Sequence, residues 1–129
     1  MELDISAWLS NTPPRQTMAV AKEPLDLLPG TLDLLILRTL LSGRAHGYGI
    51  AQHIRGHSDE ILQVGESSLY PALQRLLLNG WVKAEWGVSD NNRKARYYTL
   101  TAAGRKRLAA ERQELDELML GIHKVLNAT

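Results

Sequence analysis

The chain has 129 residues, of which 44% are apolar and 22% are charged, and this size and composition fit one globular domain and exclude two full ones. Cysteine is absent, which excludes disulfides, thiolate nucleophiles and Cys-based zinc sites and fits a reducing compartment. Uninterrupted apolar runs reach only four residues, as at 34–37, whereas a membrane helix needs ~20. Because Glu2 and Asp4 stand where a secretory signal carries basic residues, we expect a cytoplasmic protein that makes no membrane contact.

Charge is distributed unevenly along the chain. The 15 Lys and Arg residues nearly balance the 14 Asp and Glu residues, for a formal net charge of +1. Arg93, Lys94 and Arg96 nevertheless fall within four positions, and residues 105–107 are three consecutive cations. Such clusters suit an anionic partner better than the net charge suggests. The run at 105–107 is equally compatible with a solvated helix face, and both interpretations remain open.

Residues 1–28 differ in composition from the rest of the chain. They contain Pro13, Pro14 and Pro24 and show no sustained hydrophobic period, which predicts a flexible or loosely packed N-terminal extension. Only residues 1–9, which include Trp8, have the pattern of a short helix. The globular part is therefore expected to begin at residue 29.

The first strong helix is predicted at residues 32–41, after the N-cap residue Thr31 and before a Ser-Gly stop. Its apolar residues cover nearly the whole circumference, and Leu34, Leu37 and Leu41 share one face. A helix of this type is buried on two sides. We expect one side to contact the domain core and the face of Leu34, Leu37 and Leu41 to contact a second chain.

Two further helices are predicted at residues 48–56 and 67–78, with a short strand at 61–64 between them. The later helix ends at an Asn-Gly stop. Its apolar stripe consists of Leu69, Leu73, Leu76 and Leu77. The opposite face is therefore polar but carries little charge.

The hydrophobic period then changes from that of a helix to that of a strand. Residues 81–88 and 93–100 alternate between apolar and polar positions, and residues 89–92 between them are dense in turn formers. This pattern predicts a β-hairpin with a basic return strand. At least one of Tyr97 and Tyr98 is expected in the core, as is usual for strand tyrosines.

A last helix is predicted from residue 101 to about residue 127. Its heptad-like apolar stripe consists of Leu108, Leu115, Leu118, Ile122 and Val125. The stripe either folds back on its own domain or meets a second copy of the chain. We favour the second copy, because lone helices with such a stripe rarely stand uncovered.

Three helices followed by a basic hairpin are the order of a winged helix-turn-helix, so we expect a mainly α fold with a small β-hairpin. Five blocks are then recognisable in order: LPGTLDLLIL at 28–37, HGY at 46–48, SLYPAL at 68–73, GW at 80–81 and RYYTLTAAGR at 96–105. In these blocks the chain resembles the PadR family of bacterial transcriptional regulators, in its short subgroup, in which a single long C-terminal helix takes the place of a multi-helix domain. The resemblance implies a winged helix-turn-helix DNA-binding domain at 29–101 and a long C-terminal dimerisation helix at 102–129.

The resemblance also implies where DNA binds. The helix at 67–78 is expected to enter the major groove as the recognition helix, and the hairpin is expected to follow the adjacent backbone or minor groove as a wing. The residues expected at the DNA are Tyr48, Ser67, Ser68, Tyr70, Gln74, Arg75, Asn92, Arg93, Lys94 and Arg96. No cofactor or metal is expected.

The function implied is a sequence-specific, homodimeric repressor that binds a pseudo-palindromic operator in double-stranded DNA and responds to a small hydrophobic or aromatic effector. The last helix contains no aromatic residue, which argues against an aromatic sandwich around such an effector. The alternative is a protein-interaction module that uses the winged fold without reading DNA, which the near-neutral charge allows. An enzyme is not expected, since the chain has no Gly-rich phosphate loop, nucleophile elbow or HExxH motif.

Two further features have a functional and a structural interpretation. His53 and His57, four residues apart, indicate either a metal site or, more often, two solvated histidines. Trp81 and Trp86 indicate packing in a small core more often than a ligand cage.

Overall fold

The protein is represented by a computed structural model that describes Leu27 and residues 29–129. The extension predicted at 1–28, including its short helix and Trp8, therefore lies outside the described residues except for Leu27. The described part holds the elements α1 (Pro29–Leu41), β1 (Ala45–His46), α2 (Gly47–His57), α3 (Glu66–Leu78), β2 (Val82–Val88), β3 (Lys94–Leu100) and α4 (Ala102–Leu126). This is the mainly helical fold with a small sheet that the sequence predicts. None of the helices described here is both long and apolar enough to cross a bilayer.

Helix α1 lies at the centre of the core because its side chains are apolar on nearly every face. It contacts α2, α3, α4 and β3, so elements of the same chain surround it. Ile36 and Leu37 are fully buried and Leu34 is 8% exposed, whereas Leu41 at the end of the helix is 41% exposed. Leu34 and Leu37 therefore have no surface left for the second chain that the sequence predicted there. The all-round apolar pattern reflects burial by the chain itself.

Helices α2 and α3 form the helix-turn-helix pair. The Nδ1 of His46 accepts a hydrogen bond of 3.0 Å from a backbone N–H in the first turn of α2 and so caps this helix. The strand predicted at 61–64 does not form, and Leu62 alone makes an isolated bridge. Asp59 and Glu60 adopt left-handed backbone angles instead, with φ of 54° and 65°, and these angles turn the chain toward α3.

The three strands form one antiparallel sheet in the order β1–β3–β2. Strands β2 and β3 are the predicted hairpin, and the two-residue β1, which the sequence pattern does not indicate, pairs with the other side of β3. Val82 pairs with Leu100, and Ala84 pairs with the buried Tyr98. The hairpin beyond these pairs, residues 86–96, extends away from the core, and we call it the wing.

Helix α4 begins inside the fold and then leaves it. Thr101 caps the helix, because its Oγ1 accepts the Gly104 N–H at 3.0 Å and donates to a main-chain carbonyl at 2.7 Å. Leu108 is 7% exposed and Leu115 is partly buried against the core. The beginning of α4 thus folds back on its own domain, and Leu108 is a core residue in place of the interface residue predicted. From residue 116 onward every side chain is exposed.

Gly104 brings α4 so close to the sheet that no larger residue fits. A Cβ built there lies 2.1 Å from the carbonyl oxygen of Trp81 and 2.7 Å from Cδ1 of Leu100. The oxygen belongs to the main chain and already accepts the Thr101 N–H, so it has little freedom to move. We expect Gly104→Ala to lower the free energy of unfolding in urea by about 2 kcal/mol, because the overpacking outweighs the helix preference of Ala.

Gly56→Ala is the matched control. Gly56 lies in α2, where an added Cβ meets nothing within 4 Å. This change should raise the free energy of unfolding by about 0.5–1 kcal/mol through the better helix propensity of Ala. The two Gly→Ala changes are thus expected to have opposite signs at equal protein concentration. An unchanged stability of Gly104→Ala would contradict the close packing of α4 on the sheet.

Candidate nucleic-acid interface

Helix α3 divides its side chains into a buried and an exposed set. The buried side chains are Leu69, Ala72, Leu73 and Leu76. The exposed polar side chains are Ser67, Ser68, Tyr70 and Gln74. This split follows the 3.6-residue period of an amphipathic helix. The exposed hydroxyl and amide groups are of the kind that donate to phosphates or pair with base edges.

Arg75, the remaining residue predicted on this helix, is bound to the domain itself. Its Nη2 lies 2.8 Å from Oδ1 of Asp33 on α1. The carboxylate side chain is only 16% exposed, so the pair is partly shielded from water. The ion pair links α3 to α1 and positions Arg75, whose side chain remains 45% exposed.

The wing ends in a tight turn that its own backbone stabilises. The Ser89 N–H donates to the Arg93 carbonyl at 2.8 Å, and the Asn92 N–H donates to the Ser89 carbonyl at 2.8 Å. Asn92 has a φ of 59°, a left-handed conformation that Asn tolerates better than most residues. Asn92 therefore shapes the turn from which Arg93 and Lys94 project.

The wing carries three exposed cations on its return strand and turn, namely Arg93, Lys94 and Arg96. The Nζ of Lys94 lies 5.1 Å from the centre of the Trp86 ring, and the guanidinium carbon of Arg96 lies 5.9 Å from that of Tyr98. The negative face of an aromatic ring attracts a cation at such distances. Both contacts hold a cation on the same face of the hairpin that, nearer the core, carries Ala84 and the buried Tyr98.

A cleft of about 810 Å³ lies between the wing and the beginnings of α2 and α3. The predicted site residues that line it are Tyr48, Tyr70, Arg93, Lys94 and Arg96. The wing contributes one acid, Asp90, so three cations face one carboxylate and the cleft is positive. The structure thus brings these five residues together. Ser67, Ser68, Gln74 and Asn92 lie outside the cleft lining.

Tyr48 is 69% exposed in the first turn of α2. Its hydroxyl oxygen accepts a hydrogen bond of 2.5 Å from the amide of Gln52, one turn later. A hydroxyl that accepts one hydrogen bond still has its own proton to donate. Tyr48 is therefore oriented by Gln52 and can donate to an anionic oxygen in the cleft.

Tyr70 is placed in the cleft by its contact with Gly47. A Cβ built on Gly47 would lie 2.9 Å from the hydroxyl oxygen of Tyr70 and 3.1 Å from its Cε1. Only a residue without a side chain therefore allows the ring its position. Tyr70 is 48% exposed, so the rest of the ring faces the solvent of the cleft.

His46 and Trp86 also line the cleft, and the sequence alone assigned neither of them to it. Because the Nδ1 of His46 accepts a backbone N–H, the neutral ring carries its proton on Nε2. Trp86 was expected to pack, yet it is 63% exposed. The strand alternation gave no signal for this exposure, because Trp86 has the same parity as Val82 and Ala84 and only the structure shows that it follows the last core pair.

The other aromatic and basic residues are largely explained by packing. Tyr98 is 4% exposed and is the core tyrosine that the sequence predicts. Trp81 packs against the core, with the guanidinium carbon of Arg107 4.6 Å from its ring centre. Arg107 also pairs with an acid one turn later, whereas Arg105 and Lys106 are exposed. One cation of the 105–107 run is thus used within the chain.

His53 and His57 stack on α2 with their ring centres 4.0 Å apart. Burial lowers the pKa of His53, and the neighbouring His57 and Arg38 lower it further. Across Leu27 and residues 29–129, no group of three or more His, Cys, Asp or Glu side chains is arranged to hold a metal ion. The contact that the structure gives this pair is the stacking of the two rings on α2.

Comparison with known proteins identifies the family to which this fold belongs. A sequence model of the transcriptional regulator PadR-like family matches residues 36–110, from α1 through the wing into α4. A transcriptional regulator of Mycobacterium tuberculosis is 35% identical over 85 residues, which cover 66% of this chain and 76% of that protein.

Solved structures agree. A transcriptional regulator from Clostridium thermocellum matches with a TM-score of 0.68 and 33% identity, over 74% of this chain and 92% of the other. A PadR-family transcriptional regulator from Eggerthella lenta matches with a TM-score of 0.67 and 27% identity, over 78% of this chain and 85% of the other. These relatives are named for the regulation of transcription and not for catalysis. The chain therefore belongs to the PadR-like family of transcriptional regulators.

Proposed function

We propose that the chain is a non-enzymatic, sequence-specific repressor that binds a pseudo-palindromic operator as a homodimer. In this proposal residues 29–101 are the DNA-binding domain, residues 102–129 are the dimerisation helix, and residues 1–28 are an N-terminal extension. The observation that carries the proposal is the positive cleft, which lies between the wing and the recognition helix α3. Double-stranded DNA offers the phosphates and base edges that such a surface binds.

The two sides of the interface have different tasks. Ser67, Ser68 and Gln74 on α3 face the major groove, where Gln pairs with adenine and the hydroxyls reach phosphates or bases. The cations of the wing neutralise phosphates and release counterions, a contribution that carries no sequence information. Direct readout by this helix is therefore modest, and much of the affinity is electrostatic.

The homodimer is supported by an apolar stripe on α4 that no described residue covers. Leu118, Ile122 and Val125 are 59%, 41% and 75% exposed and follow heptad spacing. Leu41 at the end of α1 adds a further exposed leucine. A second copy presents the same stripe, so symmetric pairing buries both. The pair then presents two recognition helices to half-sites about 34 Å apart.

The proposed effector is a small hydrophobic or aromatic compound that binds at the same interface. An apolar depression of about 450 Å³ on α4 is bordered by Leu118, Gly121, Ile122 and Val125. Since α4 contains no aromatic residue, the compound packs against aliphatic side chains. It controls operator binding only if it prefers one spacing of the two DNA-binding domains over another.

Selection from random duplexes of about three helical turns tests the function, because an operator with two half-sites fits within that length. We expect the protein to enrich a pseudo-palindromic duplex. In fluorescence anisotropy, affinity for that duplex should fall roughly 1,000-fold or more between about 50 and 200 mM salt, as for proteins with several phosphate contacts. If no duplex is enriched and binding is weak at low salt, the winged fold serves protein interaction instead.

Gly47→Ala tests the place of Tyr70 in the interface. The new methyl group displaces the hydroxyl end of Tyr70, which is the far end of a side chain that is 48% exposed, so the melting temperature should change little. Affinity for the selected duplex should fall about 30-fold in anisotropy, because each copy of the dimer loses one hydrogen bond or ring contact of roughly 1 kcal/mol.

A double-mutant cycle provides the control for this prediction. Gly47→Ala introduced into a Tyr70→Ala background should cost no further affinity, because the displaced ring is already gone. Equal losses in both backgrounds would mean that Gly47 affects binding by another route than Tyr70.

A further inference from the structure

Trp86 occupies an unusual position for a large apolar side chain. It pairs with Arg96 in the register of the hairpin, one same-face pair beyond Ala84 and Tyr98, where the core ends. Its side chain is 63% exposed, and that of Val88, the next residue on the same face, is 65% exposed. Packing within the described chain therefore does not explain a tryptophan at this point.

The surroundings of Trp86 indicate what the ring is for. It lines the positive cleft together with Tyr48 and Tyr70, which are 69% and 48% exposed. The ammonium of Lys94 lies 5.1 Å from the ring centre. Exposed aromatic rings beside cations in one groove suit a duplex, because the rings pack against sugars and base edges while the cations neutralise phosphates.

We propose that Trp86 is a DNA-contacting residue of the wing, whose indole packs against deoxyribose rings and base edges in the minor groove beside the recognition helix. Lys94, held by the same ring, neutralises the adjacent phosphate. The proposal rests on the function proposed above and adds an apolar contact to a wing otherwise described by its charges. Apolar side chains placed in the minor groove gain contact with the duplex without a change of charge.

The charge balance separates Trp86 from its neighbours in an experiment. Removal of a neutral ring releases no counterion, so the salt dependence of binding stays the same while the affinity falls. Removal of Lys94 takes away one phosphate contact in each copy of the dimer and flattens the salt dependence by about 1.8 in the logarithmic slope. If Trp86 had only a structural role, its removal would lower the melting temperature and would not give a lower affinity at an unchanged salt slope.

The experiment uses the full chain and the duplex enriched by selection. Trp86→Ala is expected to weaken binding roughly tenfold with an unchanged salt slope and melting temperature, whereas Lys94→Gln lowers the slope. Leu120→Ala, which removes a leucine that is 58% exposed on α4, is the control and should bind like the original chain. In iodide quenching, the duplex should protect part of the tryptophan emission of the original chain, and this protected part should be missing in Trp86→Phe.

The two levels of the proposal fail in different ways. If the original chain enriches no duplex, the proposed function fails and the role of Trp86 falls with it. A second outcome is that the original chain and Trp86→Ala bind the duplex equally well, and that the duplex does not protect the tryptophan emission of the original chain from iodide. In that case only the inference about Trp86 is overturned. A lower melting temperature of Trp86→Ala with unchanged affinity would also overturn it, since the ring would then serve stability.

Discussion

Leu118→Glu is expected to convert the protein into monomers and to lower affinity for a two-site operator by about 100-fold or more, since the second half-site no longer binds within the same complex. Leu118 is the first residue of the exposed stripe on α4, between the partly buried Leu115 and the exposed Ile122. In a symmetric pair each substitution acts twice. Light scattering measures the mass, and anisotropy measures the binding.

The size of the effect follows from burial and charge. A leucine buried at an interface contributes roughly 1.5–3 kcal/mol, and a carboxylate in its place adds the cost of removing a charge from water. Because both copies carry the substitution, the loss occurs twice, and together the losses exceed the free energy of association that a single stripe of this length provides. The fold of each copy should survive, because Leu118 is 59% exposed in the single chain and packs against none of its core.

Leu120→Glu is an unusually close control for this prediction. Leu120 is 58% exposed, so the same substitution is made at the same exposure on the same helix. The two positions differ by about 200° around the helix axis, which places Leu120 on the side opposite the stripe. Leu120→Glu should therefore leave the mass and the operator affinity unchanged. A dimer that survives Leu118→Glu, or that is lost equally in both variants, would contradict the stripe as the interface.

The elements with strong periods could be predicted from the sequence. The helices, the hairpin and their order follow from the change between a period of 3.6 and a period of 2, and the structure confirms this fold. The two-residue β1 and the left-handed turn at Asp59 and Glu60 could not, because both depend on contacts with distant elements or on local strain. The predicted strand at 61–64 was wrong for the same reason, since its residues find no strand to pair along their length.

Burial was harder to assign than secondary structure. A helix that is apolar all round has the same pattern whether its own chain or a partner surrounds it, so Leu34 and Leu37 were placed at an interface that the core in fact occupies. Leu108 and Leu118 belong to one heptad stripe, yet the fold covers the first and leaves the second exposed. In the sequence the stripe is one continuous apolar face. The structure divides it into a buried and an exposed part at the position where α4 extends beyond the rest of the domain.

The candidate site was predictable by residue type but not by partner. Exposed hydroxyls, amides and cations follow from the polar faces of α3 and β3. The ion pair of Arg75 with Asp33, 42 positions apart in the chain, has no local signal. Trp86 was missed because an aromatic residue on the core parity of a strand is usually buried, and the sequence does not show where the hairpin passes the edge of the core.

Arg93→Ala combined with Arg96→Ala is expected to weaken binding several thousand-fold near 0.1 M salt and to lower the logarithmic salt slope by about 3.6, since the dimer loses four phosphate contacts. Each phosphate contact contributes about 0.9 to that slope, and at this salt concentration the released counterion contributes roughly tenfold in affinity. Arg93 and Arg96 line the cleft and are exposed, and the described residues form no ion pair with either. Their charges are therefore available to an external anion.

Lys83→Ala combined with Arg112→Ala removes the same total charge elsewhere. Lys83 lies on the opposite face of β2 from Trp86, and Arg112 lies on α4, 70% exposed and outside the cleft. If the wing cations contact phosphates, Lys83→Ala with Arg112→Ala should bind with the salt slope of the original chain. The wing variant should lose affinity by the same factor for every selected sequence. Equal losses in both double variants would mean that long-range attraction to the whole molecule, and not the wing, accounts for the salt dependence. An unchanged affinity in the wing variant would mean that the wing is not part of the DNA interface. The proposed repressor depends on base contacts from α3 and phosphate contacts from the wing cations, so that proposal would then be wrong.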